Sequence, residues 1–185
     1  TGIGGGIIIN GKIYRGFNFV AGEIGHMLVQ KNGPMCSCGK KGCFEALASR
    51  TAIVNNIIND VKKGKKKSVL SNLIKSNQRI KSGALKNAID RKDKVVTKRI
   101  TEACETIGDI LGSIANLMNF DMIVLGGGVI EALGDFMMPI IRKEFKNHVL
   151  DAVAKGIKII PSKLADDAAI YGGLALVDEF LGIKV

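Results

Sequence analysis

The apolar residues of the chain change spacing several times, and each change marks a different element. Residues 1–6 read Thr1-Gly2-Ile3-Gly4-Gly5-Gly6, too rich in glycine for a helix. They are followed by the β-branched run Ile7, Ile8, Ile9, then Asn10-Gly11, then Lys12-Ile13-Tyr14. Asn-Gly between two short β-prone runs predicts a hairpin, because both turn residues must tolerate positive φ. Residues 16–45 carry Gly16, Gly22, Gly25, Gly33, Pro34, Gly39 and Gly42 without a sustained apolar period. That stretch reads as loop and needs something other than packing to hold it.

From Glu45 the spacing becomes helical, with Leu47, Ile53, Ile57, Ile58 and Val61 at steps near three and four. Residues 62–92 are basic and helix-like in pieces. A long helix is predicted over 95–118, where Val96, Ile100, Cys104, Ile107, Leu111, Ile114 and Met118 form one stripe. Cys104 on that stripe reads as a buried small hydrophobe. Met122-Ile123-Val124-Leu125 running into Gly126-Gly127-Gly128 predicts a buried strand and a tight turn. Residues 129–147 read as a helix interrupted at Pro139, 157–160 as a further short strand, and 166–181 as a helix with acids in its first turn. Helices alternating with parallel-type buried strands define an α/β class.

At 185 residues the chain has the size of one domain or one lobe, and 46% hydrophobic with 24% charged residues excludes disordered and low-complexity classes. The first residue is Thr1, which points to a piece of a longer chain. No apolar run is long enough to span a bilayer and no signal peptide is visible, so a cytoplasmic, non-membrane protein is expected. The net charge of +10 is uneven: residues 61–100 hold 14 of the 27 Lys and Arg against Asp90 and Asp93, a net of +12, and the remainder is slightly acidic. Such a like-charge run reads as a solvated surface. Aromatic residues make up only 5%, with no Trp, which argues against base stacking and hence against a nucleic-acid module.

Cys36, Cys38, Cys43 and Cys104 could in principle pair as two disulfides, but three lie within eight residues and nothing implies an oxidising compartment. A metal reading is favoured. Cys36-x-Cys38-x4-Cys43 with His26 ten residues upstream offers a Cys3His set, which closes a tetrahedral zinc shell and leaves no position for water. The site is therefore expected to be structural.

Three strings carry a family resemblance. Glu23-Ile24-Gly25-His26, then Cys36-Ser37-Cys38-Gly39-Lys40-Lys41-Gly42-Cys43-Phe44-Glu45, then Ala48-Ser49 resemble the signature of the ROK family of sugar kinases and sugar-responsive repressors. Residues 1–6 resemble its phosphate loop, residues 123–129 its adenosine-side glycines, and residues 167–173 its C-terminal element. The resemblance implies an actin-like, ribonuclease-H-like fold, with residues 1–185 as the C-terminal lobe and 22–45 as a zinc and sugar-binding loop within it.

By the same resemblance, His26 binds zinc and meets sugar hydroxyls, while Glu23 and Glu45 accept hydrogen bonds from the sugar. A carboxylate, with several lone pairs, suits paired hydroxyls. Thr1, Gly2 and Gly4 are expected at the phosphates of ATP, Gly126, Gly127 and Gly128 near its adenosine, and Mg2+ between phosphates. The family's catalytic aspartate precedes the position of Thr1, so no catalytic residue is assigned in this chain, and the chain alone is expected to be inactive. The expected function is an ATP-dependent hexose kinase, glucokinase-like, acting with an N-terminal lobe and as a homodimer. The alternative is the sensor domain of a ROK repressor, the one case in which nucleic acid would be a partner. The two intact glycine loops favour the kinase.

Overall fold

The longest apolar stripe of the sequence becomes the longest helix. In the computed structural model, which describes residues 1–182, α5 runs Lys94–Met118. Asp93 caps it, its carboxylate accepting from the backbone N–H groups of Val95 at 2.9 Å and Val96 at 3.1 Å. Val96, Ile100 and Cys104 are fully buried, as the periodicity predicts. Their stripe packs against α6, Gly128–His148, through Met137 and Ile141, and against α2, Arg50–Lys62, through Ile53 and Ile57. Helix α4, Ser82–Asp90, closes the core with Leu85 and Ala88. Burying each such side chain contributes about 1.5–3 kcal/mol.

The hairpin forms where Asn-Gly predicts it, as β1 Ile8–Ile9 paired antiparallel with β2 Lys12–Ile13. Asn10 and Gly11 take φ of 52° and 75°. The second sheet pairs β3, Met122–Leu125, parallel to β4, Lys158–Pro161. Short helices complete the order: α1 Phe44–Ala48, α3 Ser71–Lys75 and α7 Asp151–Ala154, with α8 Ala168–Leu181 last.

Four expectations are corrected. The helix predicted from Glu45 is two helices, because Ser49 leaves helical backbone at ψ 161° and caps α2 by accepting from the Ala52 N–H at 3.1 Å. Strand β3 is not buried: Ile123 and Leu125 are half-buried while Met122 and Val124 are exposed, since a two-stranded sheet covered on one face shields alternate residues only. Pro139 does not interrupt α6, because it lies exposed while Met137, Met138 and Ile141 anchor the helix on both sides of it. Burial there offsets the roughly 3 kcal/mol that an interior proline costs. Helix α8 begins after a 3-10 helix at Ala165–Asp167, so no acid lies in its first turn, and its apolar residues stand exposed.

The basic segment is tied to the core by two acids. Asp93 also accepts from the Ser68 hydroxyl at 2.8 Å and the Val69 N–H at 2.7 Å. Asp60, at the end of α2, accepts from Arg99 at 2.8 and 2.9 Å and from Lys66 at 2.8 Å. The Arg99 guanidinium, with Lys66, holds the Asp60 carboxyl down to about 2. Among the described residues no helix is long and apolar enough to cross a membrane.

Candidate functional site

Residues 22–45 turn back on themselves through backbone hydrogen bonds. The Val29 and Gln30 N–H groups both reach the Gly42 carbonyl, at 2.8 and 3.1 Å, and the Gly42 N–H reaches the Pro34 carbonyl at 2.8 Å. Inside that fold the Cys36 N–H bonds the Lys40 carbonyl at 2.8 Å, and the Gly39 N–H bonds the Cys36 carbonyl at 3.0 Å. Gly42 sits at φ 78° against the Gln30 carbonyl, where a Cβ has no room. A 3-10 helix, Ile24–His26, turns the exposed His26 toward Cys36, and Phe44, 3% exposed, fixes the exit of the loop in the core.

The result brings His26, Cys36, Cys38 and Cys43 together, with all ligand atoms within 4.8 Å of one another. The His26 Nδ1 lies 3.7 Å from Cys36 Sγ, and Cys38 Sγ lies 3.7 Å from Cys43 Sγ. Tetrahedral zinc, with bonds of about 2.3 Å to sulfur and 2.0–2.1 Å to nitrogen, sets its donors about 3.6–3.8 Å apart. The set therefore fits a closed zinc shell, in agreement with the expectation from spacing. The sulfurs also differ in how readily they ionise. The Cys38 N–H, with the side chains of Cys38, His26 and Cys43, holds the Cys36 thiol down to about 7, while burial and the neighbouring sulfurs push Cys43 up to about 11. A bound cation would offset the repulsion between neighbouring thiolates.

Both predicted glutamates border the cluster. Glu23 Oε2 lies 3.7 Å from His26 Nε2, the ring nitrogen turned away from the sulfurs. At that distance the pair is beyond a direct hydrogen bond, but the carboxylate stands on the side of the ring that a metal on Nδ1 would leave free. Glu45 accepts from the Ile3 N–H at 2.9 Å and the Ser37 hydroxyl at 3.2 Å, one bond on each oxygen, so each keeps a lone pair for a ligand. Neither Ser37 nor the Ile3 N–H was among the expected site groups. Their roles come from tertiary contacts that carry no signal in sequence spacing.

The first glycine segment lies on this wall. A Cβ on Gly2 would strike the Glu45 carboxylate, one on Gly25 the Ile3 carbonyl, and the Thr1 carbonyl accepts from the Thr51 hydroxyl at 3.1 Å. Gly4 has open space around it. Gly126, Gly127 and Gly128 sit elsewhere, at the β3 to α6 turn, with Gly127 at φ 93°. Ser162 and Ser82 are their neighbours. Among the described residues no hydrogen bond joins the two glycine segments.

An α/β fold of the actin-like ATPase class with a Cys3His cluster and flanking carboxylates can be compared with known proteins. A glucokinase from Halalkalibacterium halodurans is 34% identical over 180 residues, covering 97% of this chain and 54% of that protein. The xylose repressor of Bacillus subtilis is 31% identical over 186 residues, covering 98% of this chain and 43% of that one. The solved structure of a ROK family glucokinase from Streptomyces griseus, in complex with glucose and AMPPNP, superposes with a TM-score of 0.81 at 27% identity. It covers 95% of this chain and 57% of that one. The chain thus spans about half the length of the curated relatives it matches. The ROK family profile matches residues 1–179, and the chain belongs to that family.

Proposed function

We propose that this chain is the zinc-holding lobe of an ATP-dependent hexose kinase, with glucose as its substrate. The observation that carries the reading is the shared wall. Glu23 and Glu45 flank the loop that holds His26 and the three cysteines, and Glu45 also holds the glycine segment at Ile3. Sugar-facing carboxylates and phosphate-facing backbone would then be fixed relative to one another, which is what transfer between bound partners requires. Zinc on His26, Cys36, Cys38 and Cys43 supplies rigidity and no open coordination position. Glu23 and Glu45 bind sugar hydroxyls, Thr1, Gly2 and Gly4 meet the phosphates with Mg2+, and Gly126, Gly127 and Gly128 border the nucleoside.

The proton-accepting aspartate belongs to an N-terminal lobe. Asp60 is unsuited to the role, being buried and held ionised at about 2 by Arg99 and Lys66. The similarity to a xylose repressor favours a second reading, a sugar sensor that controls DNA binding. The test is sugar-dependent ATP turnover by the protein carrying this lobe with its N-terminal partner. Glucose-stimulated ADP release that disappears in Glu45→Gln supports the kinase. Sugar binding without turnover, together with sugar-sensitive DNA binding, assigns the repressor role.

A further inference from the structure

Helices α5 and α6 approach closely at two glycines. A methyl on Gly108 would come within 2.6 Å of the Glu144 Cβ, and one on Gly112 within 3.0 Å of the His148 Cβ. Glu144 and His148 are one helical turn apart and share a face of α6. The close approach brings Asp109 of α5 to the same point: its Oδ1 lies 3.0 Å from His148 Nδ1. The donor atoms of all three residues lie within 4.8 Å of one another.

We propose that Asp109, Glu144 and His148 form a second metal site, independent of the Cys3His cluster, which binds one divalent transition-metal ion of the nickel, cobalt or zinc type. One imidazole and two carboxylates are a borderline-to-hard donor set suited to these ions and unlike the thiolate set of the loop. Metal bonds of about 2.1 Å place adjacent octahedral donors about 3.0 Å apart, matching the His148 to Asp109 separation. The ion takes the place of the hydrogen between these two groups: a neutral imidazole carries its proton on Nε2 when Nδ1 binds the metal, and an imidazolium releases one proton to solvent. Water completes the coordination.

The surroundings set the competition. His148 Nδ1 also lies 3.1 Å from the Glu144 carbonyl, Asn147 donates to Glu144 Oε2 at 3.0 Å, and Lys143 Nζ stands 4.0 Å from Glu144 Oε1. The end of α6 is already fixed to α5 by Asn116, which donates to the His148 carbonyl at 3.1 Å and accepts from the Leu150 N–H at 2.9 Å. The three donors are therefore assembled before a metal arrives.

The test is calorimetric titration of Ni2+ into protein loaded with a single equivalent of Zn2+, which the thiolate cluster takes in preference. One Ni2+ per chain with micromolar affinity is expected, weaker at lower pH as protons compete for the imidazole, and Mn2+ should bind less tightly than Ni2+. His148→Ala and Asp109→Asn change partly exposed side chains, so both should fold, and each should lower Ni2+ affinity tenfold or more. The chain has two histidines, His26 and His148. Paramagnetic Ni2+ should broaden the imidazole proton signals of His148 and spare those of His26. Binding absent below millimolar Ni2+, or undiminished in His148→Ala, overturns the proposal. A melting temperature lowered in His148→Ala without any Ni2+ binding by the parent also overturns it and leaves an ion pair between helices.

Discussion

Residues 22–42 and the α5/α6 pair are held by different forces. In the loop the buried positions are Gly25, Cys36 and Gly42, so the single buried side chain is a ligand sulfur. In the helix pair Val96, Ile100, Cys104, Met137 and Ile141 are almost completely buried, and their packing needs no cation. The loop carries the candidate chemistry and the helices carry the stability. Backbone hydrogen bonds give the loop its path, but each contributes only about 1 kcal/mol net, too little to order a segment rich in glycine and poor in apolar burial. The comparison teaches that a metal on the Cys3His set would stand in for a core.

The sharpest way to break that comparison is to remove the metal. Chelation, or Cys43→Ser, should release the whole loop, because structural zinc contributes folding free energy on the order of 10 kcal/mol in small metal-dependent folds. Limited trypsin digestion should then cut at Lys31, Lys40 and Lys41, while far-UV circular dichroism retains the signal of α5 and α6. A loop that stays protected after chelation would show that hydrogen bonding alone suffices. The converse variant is Ile141→Ala, fully buried in α6. It should cost about 2–5 kcal/mol in chemical denaturation while the metal content of the native protein stays at one zinc per chain.

Asp60 sharpens the contrast from the electrostatic side. Its carboxyl, paired with Arg99 and Lys66, is held at about 2 against an ordinary 3.8. The pairing therefore stabilises the fold fully above pH of about 4, and the contribution is lost as pH falls through about 2. Asp60→Asn should cost on the order of 2 kcal/mol at neutral pH and flatten the acid limb of the stability profile measured by urea denaturation. An unchanged acid limb would show that the pair is screened by water.

The two regions also differ in how far they could be read without a structure. The ligand set was legible because thiolate chemistry needs few residue types at short spacing, and α5 because its period persists over several turns. The hairpin followed from the steric demands of Asn10-Gly11 alone. What escaped was tertiary. The exposure of Met122 and Val124 depends on how many strands join the sheet, and the continuity of α6 through Pro139 depends on burial at Met137, Met138 and Ile141. Asp60 meets Arg99 across 39 residues, a separation at which no local pattern pairs them. The break at Ser49 is a local feature hidden by the pattern, since its capping role competes with a helical apolar period that runs straight through it.

Ser49 joins α1, at the exit of the loop, to α2 of the helical core, and it supports the smallest and most discriminating prediction. Its hydroxyl caps α2 through the Ala52 N–H at 3.1 Å, and its backbone N–H bonds the Glu45 carbonyl at 3.1 Å. Ser49→Ala keeps the backbone bond and removes the cap, which should cost about 1 kcal/mol of stability. If loop and core are mechanically separate, that loss appears in urea denaturation while sugar affinity and zinc content stay constant. If Glu45 depends on the start of α2 for its position, sugar affinity falls in parallel with stability. In that case the carboxylate is held by the helical core as much as by the metal loop, and the division between the two regions lies at Cys43 instead of Ser49.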